Sequence, residues 1–232
     1  MVTVSIVIPA YNEERTILAL LERVHAQRVD GVSFEVIVVD DGSRDRTVAL
    51  VEGRPDLGVK LIRRAKNGGK GAAVRDALLA ATGEFVLFQD ADLEYDPAEY
   101  ARILGPVLLH GADVVLGSRL VASPVTRVHY FWNRVGNRGL TLAFNLFHNT
   151  TFTDIYTCYV LFRRSLINPN ELRSFGWEQQ AEILSLLARR AKSIFEVPIS
   201  YFGRTYEEGK KIRAIHALGV AWTIVATRFR PA

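Results

Sequence analysis

The hydrophobic pattern of the chain switches repeatedly between two periods. An apolar β-branched run, "VSIVIPA", reads as a buried strand, and "EERTILALLERVHA" then places Ile17, Leu20, Leu21 and Val24 at helical spacing, with Asn12 available as the cap. The alternation recurs. "FEVIVVDDGS" is followed by "RDRTVALVEG", "VKLIRRA" leads through "KNGGKG" into "AAVRDALLAATG", and "EFVLFQDAD" precedes "DPAEYARILGPVLLHG", which has Pro97 near a helix start. "ADVVLGSR" closes the series. Strands alternating with helices predict an α/β domain with a mostly parallel, Rossmann-like sheet, right-handed crossovers and helices on both faces.

From about residue 120 the texture changes. "SPVTRVHYFWNRVGNRGLTLAFNLFHN" reads as an amphipathic helical segment carrying Arg127, Arg134 and Arg138 among aromatics, "SIFEVPISYF" as a further strand, and "AIHALGVAWTIVAT" as a packed or interfacial helix. That last run falls short of the roughly 20 residues that cross a bilayer. With no repeat and no long linker, residues 1–232 read as a single domain of two halves, about 1–119 and about 120–232.

Composition narrows the picture only slightly. A 49% hydrophobic content supports a real core, and the lone Cys158 excludes an internal disulfide and fits a reducing, cytoplasmic setting. The N-terminus has no basic leader, so it reads as a first strand and not as a signal peptide. A net charge of +4 suits acidic partners: a nucleotide, a lipid phosphate or an anionic membrane surface. Zinc-finger spacing, a recognition-helix motif and RNP-type aromatics are all missing, which argues against nucleic acid.

Ligands of parallel sheets bind beyond the carboxyl ends of the strands, where "PAYNE", "DDGS" and "DAD" stand. Asp90, Asp92 and Glu94 crowd like charges at the end of "FVLF", a costly arrangement unless a cation sits between them, and hard divalent ions prefer such oxygens. Alone, Asp90-Ala91-Asp92 fits equally a turn with a capping Asp. Asp40 and Asp41 could serve a nucleoside or simply close a turn. Tyr11 can stack on a base and Glu13 can accept from ribose, yet the same residues suit a helix entrance. "KNGGKG" is a reasonable phosphate cradle, although it matches no Walker pattern, and the first strand lacks the G-x-G-x-x-G of dinucleotide-binding enzymes.

In this order, "SIVIPAYNEE", "VIVVDDGSRDRT", "NGGKGAAVRDAL", "FVLFQDADLEYDP", "VVLGSR", "FTDIYTCYVLFRRS", "FGWEQ" and "EVPISYFGRTYEEGKKI" resemble glycosyltransferase family 2, with its GT-A fold. The resemblance is nearest to dolichol-phosphate and polyprenyl-phosphate mannosyl- and glucosyltransferases. It implies that Pro9, Tyr11, Glu13, Asp40 and Asp41 hold the nucleoside, with Asn67 and Lys70 flanking the donor. Asp90, Ala91 and Asp92 form a DxD motif that, with the donor diphosphate, holds Mn²⁺ or Mg²⁺, and Glu94 takes a third ligand position. Arg119 and Arg134 face an acceptor phosphate, while Arg204 and Lys211 close over donor or acceptor. Asp154 is the base or acceptor-orienting acid, Glu178 projects to the acceptor side, and Glu182 is its alternative. Val160 stands where relatives commonly carry a cation.

The implied reaction is an inverting, single-displacement hexosyl transfer, mannose first, from GDP-mannose to a polyprenyl phosphate at the cytoplasmic membrane face. UDP-glucose as donor, a sugar hydroxyl as acceptor, and a non-catalytic nucleotide-sugar-binding protein are the alternatives. The aromatic and basic segment around Tyr130, Phe131, Trp132 and Arg134 is expected to make peripheral membrane contact.

Overall fold

The strand β1 (Val2–Ala10) lies inside the sheet, with β2 (Val32–Asp40) parallel to it on one side and β4 (Phe85–Phe88) parallel on the other. This computed structural model describes residues 1–121, 125–127, 130–203 and 216–230. One seven-stranded sheet, ordered β3-β2-β1-β4-β6-β5-β7, extends through both halves. Its remaining strands are β3 (Lys60–Arg63), β5 (Val114–Ser118), β6 (Val160–Arg163) and β7 (Ile194–Pro198).

The chain lays down β1, β2 and β3 in one direction, then returns through α3 (Lys70–Ala80) to place β4 on the other flank of β1. The order therefore reverses between β1 and β4, and at such a switch point the loops beyond the strand ends diverge and leave a crevice. All four residues of β4 are buried. Burying large apolar side chains of this kind is worth about 1.5–3 kcal/mol each, which pins the strand and fixes where the acids after it emerge.

The helices cover the sheet largely as the periodicity predicts. α1 (Ile17–His25) buries Ile17, Leu20, Leu21 and Val24. α2 (Thr47–Glu52) is short, and α4 (Tyr100–His110) follows a 3₁₀ turn that Asp96 caps by accepting from the Ala98 N–H. Asn12 does not cap α1; its φ of 54° puts it in the left-handed region, and its Oδ1 accepts from the Arg44 N–H at 2.8 Å. The helix starts later, with Thr16 at the cap position.

The sheet departs from pure parallel order at β6, which runs antiparallel to both β4 and β5. Periodicity did not single this strand out: "VLFR" is only four residues long and follows directly on the turn-rich "TDIYTCY". Val160 pairs with Leu116 there and is 1% exposed, so its side chain belongs to the core.

Among the described residues, the α-helices of the second half are α5 (Phe131–His148), α6 (Gln179–Arg190) and α7 (His216–Arg228). α7 packs on α5 and α6 through Val220 and Ile224, and Arg189 and Arg228 donate to the Thr227 and Phe147 carbonyls, each at 2.9 Å. No helix among the described residues is long and apolar enough to cross a membrane.

Candidate active site

The loops beyond β1, β2 and β4 enclose a cleft of about 380 Å³. Pro9, Tyr11 and Glu13 line it from β1, Asp41 from β2, Asn67 and Lys70 from the turn into α3, and Asp90, Ala91, Asp92 and Glu94 from β4. Trp177 and Tyr201 close it from the second half of the chain.

The two adjacent acids after β2 have separate duties. Asp40 turns inward and accepts from the Gly42 and Ser43 N–H groups at 3.2 and 3.1 Å, closing the turn. It does not line the cleft. Asp41 holds the glycine loop instead, accepting from the Gly68 and Gly69 N–H groups at 3.0 and 2.9 Å and pairing with Arg64, which reaches on to Asp76 at 2.8 Å. Close approach explains two glycines. A Cβ on Gly42 would fall 2.9 Å from the Asn67 nitrogen, and one on Gly69, whose φ is 92°, would fall 2.5 Å from the Phe175 carbonyl oxygen.

Behind β4, Gln89 is fully buried and fixes the acidic turn. Its Nε2 donates to the Asp90 carbonyl at 3.0 Å, while the Tyr100 and Tyr159 hydroxyls donate to its Oε1 at 2.9 and 2.8 Å. The Asp90 carboxylate meets the Lys70 ammonium, Nζ to Oδ1, at 2.5 Å. Burial would depress the Lys70 ammonium, but Asp90 foremost, with Asp92 contributing less, holds it above the ordinary lysine range. The Asp92 Oδ1 accepts from the Glu94 N–H at 3.2 Å, and the Glu94 carboxylate accepts from the Tyr201 hydroxyl at 2.7 Å.

A divalent ion fits this donor set in a specific way. Among the described residues no three His, Cys, Asp or Glu side chains converge to hold a metal by themselves. Two carboxylates on one wall match the habit of Mg²⁺ and Mn²⁺ of taking one or two carboxylates and completing the shell from substrate phosphate. Glu94, the expected third ligand, is engaged with Tyr201.

A smaller chamber of about 60 Å³ adjoins the cleft and shares Lys70, Asp90, Glu94, Trp177 and Tyr201 with it. Arg119 lines this chamber, its guanidinium carbon 4.8 Å from the centroid of the Tyr201 ring. Asp154 holds Arg119 from behind, taking Nε at 2.6 Å and Nη2 at 2.8 Å. It also accepts from Asn137 Nδ2 at 2.8 Å and from the Arg119 and Tyr156 N–H groups. Burial would push the Asp154 carboxyl up, but Arg119 and the hydrogen bonds hold it below the usual aspartate range. Asp154 is fully buried and lines neither chamber. Such a carboxylate is a weak proton acceptor well suited to orienting Arg119.

The other expected residues spread more widely. Glu178 lies behind Gly176, where a Cβ would fall 2.7 Å from its Oε2, and lines neither chamber. Glu182 accepts from the Arg173 and Ser174 N–H groups at 3.0 and 2.8 Å and from Arg230 Nη1 at 2.7 Å. It braces the loop that carries Gly176 and Trp177. Arg134 is exposed on the first turn of α5, away from both chambers. Arg204 and Lys211 lie outside the described residues. Gln89, Trp177 and Tyr201 lie within the same sequence segments as the expected site residues, but each is uncharged and no local pattern marks it as part of the cleft.

Residues 5–169 match the sequence profile of Glycosyl transferase family 2, which spans every strand end just described up to β6. The chain belongs to glycosyltransferase family 2. Among its curated relatives, the dolichol-phosphate mannosyltransferase of Pyrococcus furiosus is 28% identical over 210 residues, covering 89% of this chain and 58% of the relative. The undecaprenyl-phosphate 4-deoxy-4-formamido-L-arabinose transferase of Pseudomonas aeruginosa is 30% identical over 213 residues, 89% of this chain and 60% of the relative. The chain thus spans about three fifths of the length of these relatives. The crystal structure of glucosyl-3-phosphoglycerate synthase from Mycobacterium tuberculosis with Mn²⁺, UDP and phosphoglyceric acid shares the fold, with a TM-score of 0.75, 22% identity, and coverage of 100% of this chain and 80% of that one. The α/β sheet of this family 2 member is therefore a GT-A fold.

Proposed function

We propose that the protein transfers a hexose, mannose first, from a nucleoside-diphosphate sugar to a polyprenyl phosphate, with inversion and with Mn²⁺ or Mg²⁺. The observation that carries this reading is the cleft at the switch point, where Tyr11 and Glu13, the Asp41-braced glycine loop, Lys70, and the Asp90-Ala91-Asp92 turn face one another. Relatives whose names specify dolichol phosphate and undecaprenyl phosphate support the acceptor class.

In this reading Pro9, Tyr11 and Glu13 border the nucleoside and Asn67 the sugar–diphosphate region. Asp41 acts by shaping the loop and Asp40 by shaping the turn. Asp90 and Asp92 would hold the divalent ion, which when bound supplies charge stabilisation to the leaving diphosphate. Arg119, oriented by Asp154, directs positive charge into the smaller chamber and suits the phosphate of an acceptor. A lipid monophosphate is already anionic near neutral pH and needs positioning more than deprotonation, so the saturated Asp154 fits it better than it fits a sugar-hydroxyl acceptor. Arg204 and Lys211 remain candidates for closing over phosphate.

Peripheral membrane contact belongs to the same proposal. α5 exposes Phe131, Trp132, Leu142 and Leu146 alongside Arg134 and Arg138, and α7 exposes Leu218 and Trp222. Helices with apolar and basic faces of this kind lie in the interface of an anionic bilayer.

The experiment is transfer of labelled sugar from GDP-mannose, and in parallel from UDP-glucose, to a short polyprenyl phosphate with Mn²⁺ or Mg²⁺. Labelled lipid formed only with metal and lipid phosphate supports the reading and names the donor. Transfer only to sugar hydroxyls, or tight nucleotide binding without turnover, would replace it.

A further inference from the structure

Lys70 is the first residue of α3, a position where the helix macrodipole disfavours a cation. The fold nonetheless sends its ammonium across the cleft to Asp90, 2.5 Å away. The two side chains are 27% and 22% exposed, buried enough for their attraction to exceed that of a surface pair and open enough for a ligand to reach both. The Asp90 carboxylate that would meet a divalent ion is therefore one that already has a cation beside it. A metal placed there beside an unmoved ammonium would set three positive charges within a few ångströms, a repulsion that opposes binding.

We propose that Lys70 is the resident cation of the acidic turn and gates its metal. A nucleoside diphosphate offers the ammonium phosphate oxygens in place of Asp90, and the released carboxylate becomes available to Mn²⁺ or Mg²⁺. Metal and nucleotide then favour one another beyond what the diphosphate contributes as a ligand, and the excess coupling resides in one side chain. The inference rests on the proposed nucleotide and metal use of the cleft and adds an order to it: the empty site resists metal until the diphosphate arrives. An open acid pair would instead bind metal on its own, with Lys70 a bystander.

The test is Mn²⁺ titration of the full chain, followed by the electron paramagnetic resonance signal of free Mn²⁺, with and without GDP or UDP. Wild type is compared with Lys70→Met, Lys70→Gln and Lys70→Arg, each checked for folding by circular dichroism. Without nucleotide, the two uncharged variants are expected to bind Mn²⁺ roughly tenfold or more tightly than wild type, and the factor by which nucleotide tightens Mn²⁺ shrinks correspondingly. Lys70→Arg keeps the charge and stays near wild type. Two uncharged variants guard against one failing to fold. If wild type binds nucleotide with Mn²⁺ and either folded uncharged variant binds Mn²⁺ alone no better than wild type, the gate is overturned and the cleft's assignment stands. If wild type binds neither GDP nor UDP with Mn²⁺, both are overturned.

Discussion

Asp90 and Asp154 are aspartates of one chain set in opposite surroundings. Asp90 lines a cleft and meets a tethered lysine, whereas Asp154 is sealed behind that cleft with Arg119, Asn137 and two backbone N–H groups donating to it. Asp41 and Glu182 resemble Asp154, since each spends its carboxylate on backbone N–H groups of a neighbouring loop. The difference teaches that a carboxylate near a site is not automatically part of its chemistry. One that the fold has already surrounded with donors shapes the site, and one that faces the cleft and a lysine at its edge can exchange partners with a ligand.

Asp154→Ala should show the largest effect, because it leaves the Arg119 guanidinium buried and uncompensated. Removing one partner of such a pair costs about 3–5 kcal/mol, read by urea unfolding. The effect has a pH signature. The folded Asp154 carboxyl titrates below its unfolded value, so its contribution is fully present above about pH 4 and is lost as the pH falls through the folded pKa. Unfolding free energies of wild type and Asp154→Asn should therefore converge in acid. A variant that keeps full stability and loses only turnover would move Asp154 to the cleft side of the comparison.

Asp92→Asn comes next, with the opposite profile. Turnover should fall about 10²–10³-fold while stability is nearly unchanged, measured by nucleotide release and thermal melting side by side. Arg230→Ala is expected to be milder. It unclasps Glu182 and loosens the loop of Gly176 and Trp177, costing about 1–3 kcal/mol and raising the donor KM more than it lowers kcat.

The smallest effect lies far from the cleft. Burial pushes the His148 imidazole, stacked on Phe144 at 4.3 Å, down to about 4, with Arg228 and Arg189 adding repulsion. The unfolded chain takes up that proton first, near pH 6.5, so stability is full above that value and declines as the pH falls toward 4. His148→Gln should flatten the thermal midpoint across this window, and an unchanged slope would assign it elsewhere.

Much of the architecture around the cleft was legible because strand ends, acids and glycines fall together in sequence. "VVDDGS", "NGGK" and "FQDAD" each carry both the apolar run that fixes a strand and the polar residues that follow it. Less could be read where a role depends on which side chain reaches which partner. The Asp40 and Asp41 neighbours are alike in sequence, yet only the second reaches the glycine loop. Tyr201 lies 107 residues from Glu94, and its hydrogen bond to that acid follows from the return of the chain along β7, which no local pattern announces. β6 was hidden for a similar reason: four residues, three of them buried, carry too little periodicity to declare a direction.

The most direct test compares two asparagine variants in one assay, Mn²⁺ binding in the presence of GDP and of UDP for wild type, Asp92→Asn and Asp154→Asn. The account predicts that Asp92→Asn abolishes metal binding with nucleotide while folded Asp154→Asn retains it. Retention in Asp92→Asn together with loss in folded Asp154→Asn would contradict it.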